Sequence, residues 1–156
     1  EQIFGYKKEL NNKYVERGIE SEDFAIDFAI QVLDLPFAIK NETAFEDDHF
    51  TGTPDLIVGD VVYDIKCSYS CFTFPYLEKE IPNSDYYAQL QAYMHLTGKR
   101  RACLTYVLLD NELIGHTYEV EPLKRIKTFE FDYDPAVIEK LIERVEESRK
   151  FLESLI

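Results

Sequence analysis

The sequence predicts an α/β fold in which a central mixed β-sheet is flanked by helices, with elements in the order α-βββ-α-βββ-α. Three observations lead there. Two apolar runs, 56–58 and 61–63, flank Gly59-Asp60, a pair suited to a two-residue II′ hairpin turn. Stretches 17–35 and 84–98 repeat their apolar residues at helical spacing. Downstream, three strand-like runs are followed by Asp134-Pro135, an N-cap and first-turn proline that open a last helix reaching about 154.

Taken in order, the first helix would place Phe24, Ala25, Phe28, Val32 and Leu35 on one apolar face. Glu22 falls in its first turn, where a carboxylate suits the helix dipole. A strand near 44–50 precedes the hairpin. The segment 70–84 carries two prolines and reads as irregular. The helix over 84–98 starts with Ser84 as N-cap and stops at Gly98. Of the later strands, 101–109 is apolar enough to be interior, whereas 115–120 and 127–133 alternate. No repeat, low-complexity tract or linker divides the sequence, so one domain over 1–156 is expected.

The 156 residues include 30 acids against 17 bases, a net charge of −13. That field opposes a polyanionic partner overall. Several acids belong to the candidate metal site described below and others lie on the last helix, 134–153, while the bases cluster at Lys7-Lys8, Lys13 and Arg17, at Lys99-Arg100-Arg101, and at Lys124-Arg125 with Lys127. No apolar run approaches the roughly 20 residues of a membrane span, and no signal-peptide core is present. Three cysteines without a secretion signal point to free thiols in a reducing cytoplasm. The chain begins at Glu1, which leaves room for a preceding piece or initiator.

The hairpin carries the chemistry. A two-residue turn sets Val58 opposite Val61, Ile57 opposite Val62 and Leu56 opposite Tyr63, so Asp55 falls opposite Asp64. Like charges on cross-strand neighbours destabilise a sheet unless a cation lies between them. Lys66 emerges on the same face as Asp64, and Ile65 on the other. An isolated Asp-x-Lys is more often a solvated ion pair than a site. Here it follows Gly52-Thr53-Pro54-Asp55, and together Pro54-Asp55 and Asp64-Ile65-Lys66 resemble the PD-(D/E)XK nuclease signature. Gln89 and Tyr93, four apart on the second helix, resemble the Q-x-x-x-Y motif of its RecB-like and phage lambda-exonuclease-like branch. Arg17-Gly18, Glu22 and Ala25 are similar to the first motif of the YqaJ-like recombinases of that branch. Glu20 is the alternative to Glu22, which fits the spacing better.

The resemblance spans about residues 17 to 98 and implies a restriction-endonuclease-like core. It implies a Mg²⁺-dependent deoxyribonuclease, with Mn²⁺ substituting, that digests linear double-stranded DNA from 5′ to 3′ in phage-type recombination or repair. Asp55, Asp64 and Glu22 would be the metal ligands, joined by the Ile65 backbone carbonyl. Lys66 would orient the attacking water, Gln89 would position Lys66 or the scissile phosphate, and Tyr93 would pack behind it. Arg17, Lys99, Arg100 and Arg101 are candidate DNA contacts. The family further implies a possible homotrimer, a single-strand annealing protein as partner, and a bacterial or phage-infected cytoplasm. Some relatives hold an iron–sulfur cluster on four cysteines; with three here, none is expected. An endonuclease, a subunit of a larger DNA-processing complex, and a silent nuclease-fold interaction module remain as rivals. An intact Asp/Asp/Lys set argues against the last. A purely structural Ca²⁺ or Mg²⁺ site would have no use for a lysine beside its metal.

Overall fold

The computed structural model describes residues 13–110 and 118–155, with side chains in the first helix described from Ser21 onward. Its elements are α1 (Lys13–Val32), β1 (Phe45–Glu46), β2 (Thr51–Gly52), β3 (Leu56–Val58), β4 (Val61–Ser68), α2 (Ser84–Thr97), β5 (Arg101–Leu108), a 3₁₀ turn (Pro122–Arg125), β6 (Ile126–Asp132) and α3 (Pro135–Glu153). Four strands form a mixed sheet in the order β3-β4-β5-β6, with β4 and β5 parallel and both outer pairings antiparallel. A parallel pair needs a crossover, and α2 with the loop before it supplies one.

The hairpin register is the one its turn dictates: Leu56, Ile57 and Val58 pair with Tyr63, Val62 and Val61. Gly59 takes φ +60°, and Asp60 is not among the residues with positive φ, the pattern of a II′ turn. On one sheet face, Ala25, Ile26 and Ala29 of α1 bury against Leu56, Ile65, Val107 and Ile126. On the other, Leu90 and Met94 of α2 bury against Val62, Ala102, Leu104 and Phe129. The two helices sandwich β4 and fix which way its alternate side chains point. Among the described residues, no helix is long and apolar enough to cross a membrane.

Four details differ from the sequence-based expectation. The strand near 44–50 is only Phe45–Glu46, and it pairs with Thr51–Gly52 in a separate two-stranded hairpin rather than joining the sheet. The strand expected over 115–120 falls mostly outside the described residues, and its last positions, 118–120, are not strand. The N-cap of α2 is Asn83, whose Oδ1 accepts the Asp85 N–H, and not Ser84. The buried face of α1 is rotated: Phe24 is mostly exposed, stacked on Phe28 at 6.1 Å, and Ile26 takes its place inside. Leu35 lies past the helix, which ends through Asp34 at φ +50°.

Candidate active site

Strand alternation turns Asp64 and Lys66 toward α2 and Ile65 toward α1. Lys66 Nζ lies 2.7 Å from Asp64 Oδ2, in a pair whose acid is almost fully buried. Among the described residues that oxygen has no hydrogen-bond partner, and the ammonium beside it compensates its charge. The β3–β4 ladder stops at the Leu56–Tyr63 pair. Just before it, the Asp55 N–H donates to the Tyr63 carbonyl, while Asp55 Oδ2 accepts the Ile65 N–H at 2.6 Å. The N–H and C=O of one strand residue project to the same side, so the Ile65 carbonyl also faces Asp55, beyond the end of β3.

The second helix supplies the opposite wall. Lys66 Nζ donates to Gln89 Oε1 at 3.5 Å and stands 4.6 Å above the Tyr86 ring. Gln89 Nε2 donates to Tyr93 Oη at 2.7 Å, and the Thr97 hydroxyl caps the Tyr93 carbonyl. The Tyr93 ring lies so close to Gly52 that a β-carbon there would sit 2.3 Å from Cε1. Gly52 thus lets the small hairpin lead straight into Thr53-Pro54-Asp55 beneath the ring. From α1, Glu22 reaches within electrostatic range of Asp55 and Asp64. Its carboxylate is held by Lys40 at 3.1 Å, which also grips Asp23 at 2.6 Å. The Cys67 thiol points at the Ser21 carbonyl and links β4 to this turn of α1.

Burial is the largest influence on both aspartates. It pushes Asp55 up to about 6 despite the Ile65 N–H, with repulsion from Asp64 and Glu22 adding to the rise and Lys66 opposing it. Burial likewise raises Asp64 against the pull of Lys66. Burial works to lower Lys66, but Asp64 outweighs it and leaves the ammonium above the usual lysine range.

Among the described residues, no three acid, imidazole or thiol side chains already converge on one point. The donor set nevertheless fits a hard divalent cation. A buried and a half-buried carboxylate that repel each other, the former with an oxygen lacking a hydrogen bond, stand beside a carbonyl on the same side, and Glu22, now paired with Lys40, is the third acid in electrostatic range. Glu20 lies in the part of α1 whose side chains are not described.

The structure brings Glu22, Asp55, Asp64, Ile65, Lys66, Gln89 and Tyr93 together. It does not bring the basic candidates to them. Arg100 and Arg101 lie at the Gly59-Asp60 end of the sheet, where Arg100 covers the Tyr133 ring and Arg101 pairs with Glu130. Lys99 precedes them on the same turn, and the side chain of Arg17 is not described. Arg125 is structural, donating to the Leu108 carbonyl and facing Asp110. Two residues went unnoticed in the sequence. Tyr86 could have been found, since it precedes Gln89 by one helical turn and shares its face. Lys40 had no local signal.

The fold recurs in a solved structure. The phage-related exonuclease from Haemophilus somnus 129PT superposes with a TM-score of 0.81 at 27% identity, over 99% of this chain and 77% of that one. The chain is similar to nucleases of the phage-exonuclease type, consistent with its PD-(D/E)XK motif residues. An alkaline exonuclease, LHK-Exo from Laribacter hongkongensis, shares the fold with a TM-score of 0.72 at 21% identity, over 98% of this chain and 74% of that one. The same protein in complex with dAMP gives a TM-score of 0.73 at 20% identity and the same coverage. No protein-family model and no curated protein matches the chain.

Proposed function

We propose that this protein is a metal-dependent exonuclease that hydrolyses the phosphodiester bonds of linear double-stranded DNA from 5′ to 3′, acting as a single nuclease domain in phage-type recombination or repair. The observation that carries the reading is the Asp64–Lys66–Gln89–Tyr93 chain of contacts closed over Asp55. The Haemophilus and Laribacter proteins are exonucleases, and the latter has been solved with dAMP.

One or two Mg²⁺ ions held by Asp55, Asp64, Glu22 and the Ile65 carbonyl, with Mn²⁺ able to substitute, would polarise the scissile phosphate and acidify the attacking water. The chain's own groups do the rest. Lys66, now paired with Asp64, would offer a compact ammonium to the attacking water and to the charge developing on phosphate oxygens. Gln89 and the Tyr86 face limit where that ammonium can go, and Tyr93 fixes Gln89. Arg17, Lys99, Arg100 and Arg101 would serve only as distant contacts to the DNA backbone. A cytoplasmic setting, a homotrimer and a single-strand annealing partner follow from the same reading.

The test is degradation of end-labelled linear and covalently closed circular DNA with Mg²⁺, Mn²⁺ or EDTA, by wild type and Lys66→Ala. Metal-dependent loss of linear DNA alone, abolished by the substitution, is the expected result, and the order of label release gives the polarity. Cutting of circles would make the protein an endonuclease. Inactivity of a folded protein that binds Mn²⁺ would make it a subunit needing a partner.

A further inference from the structure

The loop after β4 spends apolar surface in a way its own structure does not explain. Phe72 and Leu77 are 89% and 87% exposed, and Tyr69 and Tyr76 are about half exposed. The loop is nonetheless well fastened. The Ser70 carbonyl accepts the N–H groups of Thr73 and Phe74, the Ser70 hydroxyl accepts the Phe72 N–H, and the buried Ser68 hydroxyl meets Thr73 Oγ1 at 3.2 Å. The Cys71 N–H donates to Tyr118 Oη at 3.0 Å, and Phe74 is buried as the anchor. A loop held this firmly, with rings pointing out, has a surface shaped for something that covers it.

Its position says what. Ser68, where the loop starts, is two residues beyond Lys66. Cys67, the residue between them and one before the loop's start, points its thiol at the Ser21 carbonyl, next to Glu22. The ring-bearing loop therefore begins directly beside the carboxylate site. Segment 69–77 carries no charge, and the whole chain carries −13. A DNA end approaching this molecule gains little from its overall field, so attraction that does not depend on charge has to contribute. Stacking of nucleobases on aromatic side chains is attraction of that kind, and it tolerates any sequence.

We propose that loop 69–77 is a stacking seat for the nucleobases of a DNA end, with Phe72 as its main ring and Tyr69 and Tyr76 beside it, which holds the terminus while the backbone lies over Asp55 and Lys66. The proposal rests on the nuclease reading above. It is distinct from the catalytic groups, since none of these rings touches Asp55, Asp64 or Lys66 in the contacts described.

The experiment uses a linear duplex with 2-aminopurine as its terminal base, and Ca²⁺ in place of Mg²⁺, titrated with wild type, Phe72→Ala and Phe72→Tyr while fluorescence and anisotropy are followed. Sedimentation of each variant and Mg²⁺-driven hydrolysis run in parallel. Wild type is expected to quench the terminal base. Phe72→Ala should lose the quench and bind on the order of ten-fold more weakly, with an unchanged salt slope, and Phe72→Tyr should restore both. Equal binding and quench by Phe72→Ala would overturn the seat and leave the nuclease reading standing if DNA is still cleaved. A change in sedimentation without a change in DNA affinity per protomer would overturn it too, making the patch a contact between copies of this chain. Quench and binding without cleavage would support the seat and remove the nuclease reading; absence of binding by wild type would remove both.

Discussion

At the residue scale, the site is a contest between burial and charge, and burial wins at the aspartates. Asp55 holds its proton to about pH 6 in the folded protein, against 3.8 for the free group. The sign follows directly. The folded state binds the proton more tightly, so Asp55 favours folding below pH 4, and that contribution is lost as pH rises from about 4 to about 6. Above that window the charged, metal-free site costs about 3 kcal/mol, since each pKa unit is about 1.4 kcal/mol. Urea denaturation of the metal-free protein should show wild type losing stability between pH 4 and 6, while Asp55→Asn, which can still accept the Ile65 N–H, loses about 3 kcal/mol less. Equal pH dependence of the two proteins would mean that Asp55 is not strained. Lys66 bears the complementary role. Lys66→Ala should lower kcat by a factor of about 100 to 1,000. It should not weaken Mn²⁺ binding measured by calorimetry, because a cation beside the metal repels it. Tighter or equal Mn²⁺ binding with lost turnover separates a chemical lysine from a structural one.

At the level of elements, what was legible depended on whether local rules or distant packing decided the outcome. The Gly59-Asp60 turn fixes register within a few residues, so the placing of Asp64 and Lys66 on one face, and Asp55 at the ladder's end, could be read directly. Gln89 and Tyr93 followed from helical spacing. The rotation of α1 could not be read, because Phe24 and Ile26 are equally apolar and only the sheet beneath selects Ile26. The β1–β2 hairpin was missed for a related reason: two-residue strands carry no periodicity, and docking against α2 holds them. Gln91, unexplained by the sequence, is structural. Fully buried, it donates to the Asp132 carbonyl and accepts the Asp134 N–H, each at 2.9 Å, and so joins α2 to the start of α3. The two glutamines should therefore separate under the same substitution. Gln91→Leu is expected to cost about 1–3 kcal/mol by leaving two backbone groups unpaired, with turnover of the folded fraction kept. Gln89→Leu should leave the melting temperature nearly unchanged and cut turnover. Gly52→Ala, which drives a methyl into the Tyr93 ring, should do both, destabilising by roughly 1–3 kcal/mol and displacing Asp55.

Across the whole molecule, the decisive quantity is the imbalance of 30 acids over 17 bases. Only five of those acids lie on α3, beside four bases, and Glu146 there is matched by Arg149 and His49. Several of the bases that could answer a DNA backbone are already engaged: Arg101 by Glu130, Arg100 by the Tyr133 ring, Arg125 by Asp110 and Lys40 by Glu22 and Asp23. A phosphate chain reaching Asp55 and Asp64 would meet carboxylates, and a divalent cation at that point reverses the local sign. On the proposed reading, DNA binding at these carboxylates would be coupled to metal binding. Filter binding or anisotropy at 50 and 200 mM salt should show weak association in EDTA and at least a ten-fold gain with Ca²⁺, with a log–log salt slope well short of the −6 or steeper of a protein that neutralises many phosphates. Asp64→Asn gives the sharper contrast. Having lost one repelling charge, it should bind DNA more tightly than wild type in EDTA, yet gain less from Ca²⁺, so that the order of the two proteins narrows or inverts when the ion is added. Tighter binding by the variant under both conditions would place the DNA away from this pair of carboxylates, and a parallel gain in both proteins would place the cation elsewhere on the acidic surface.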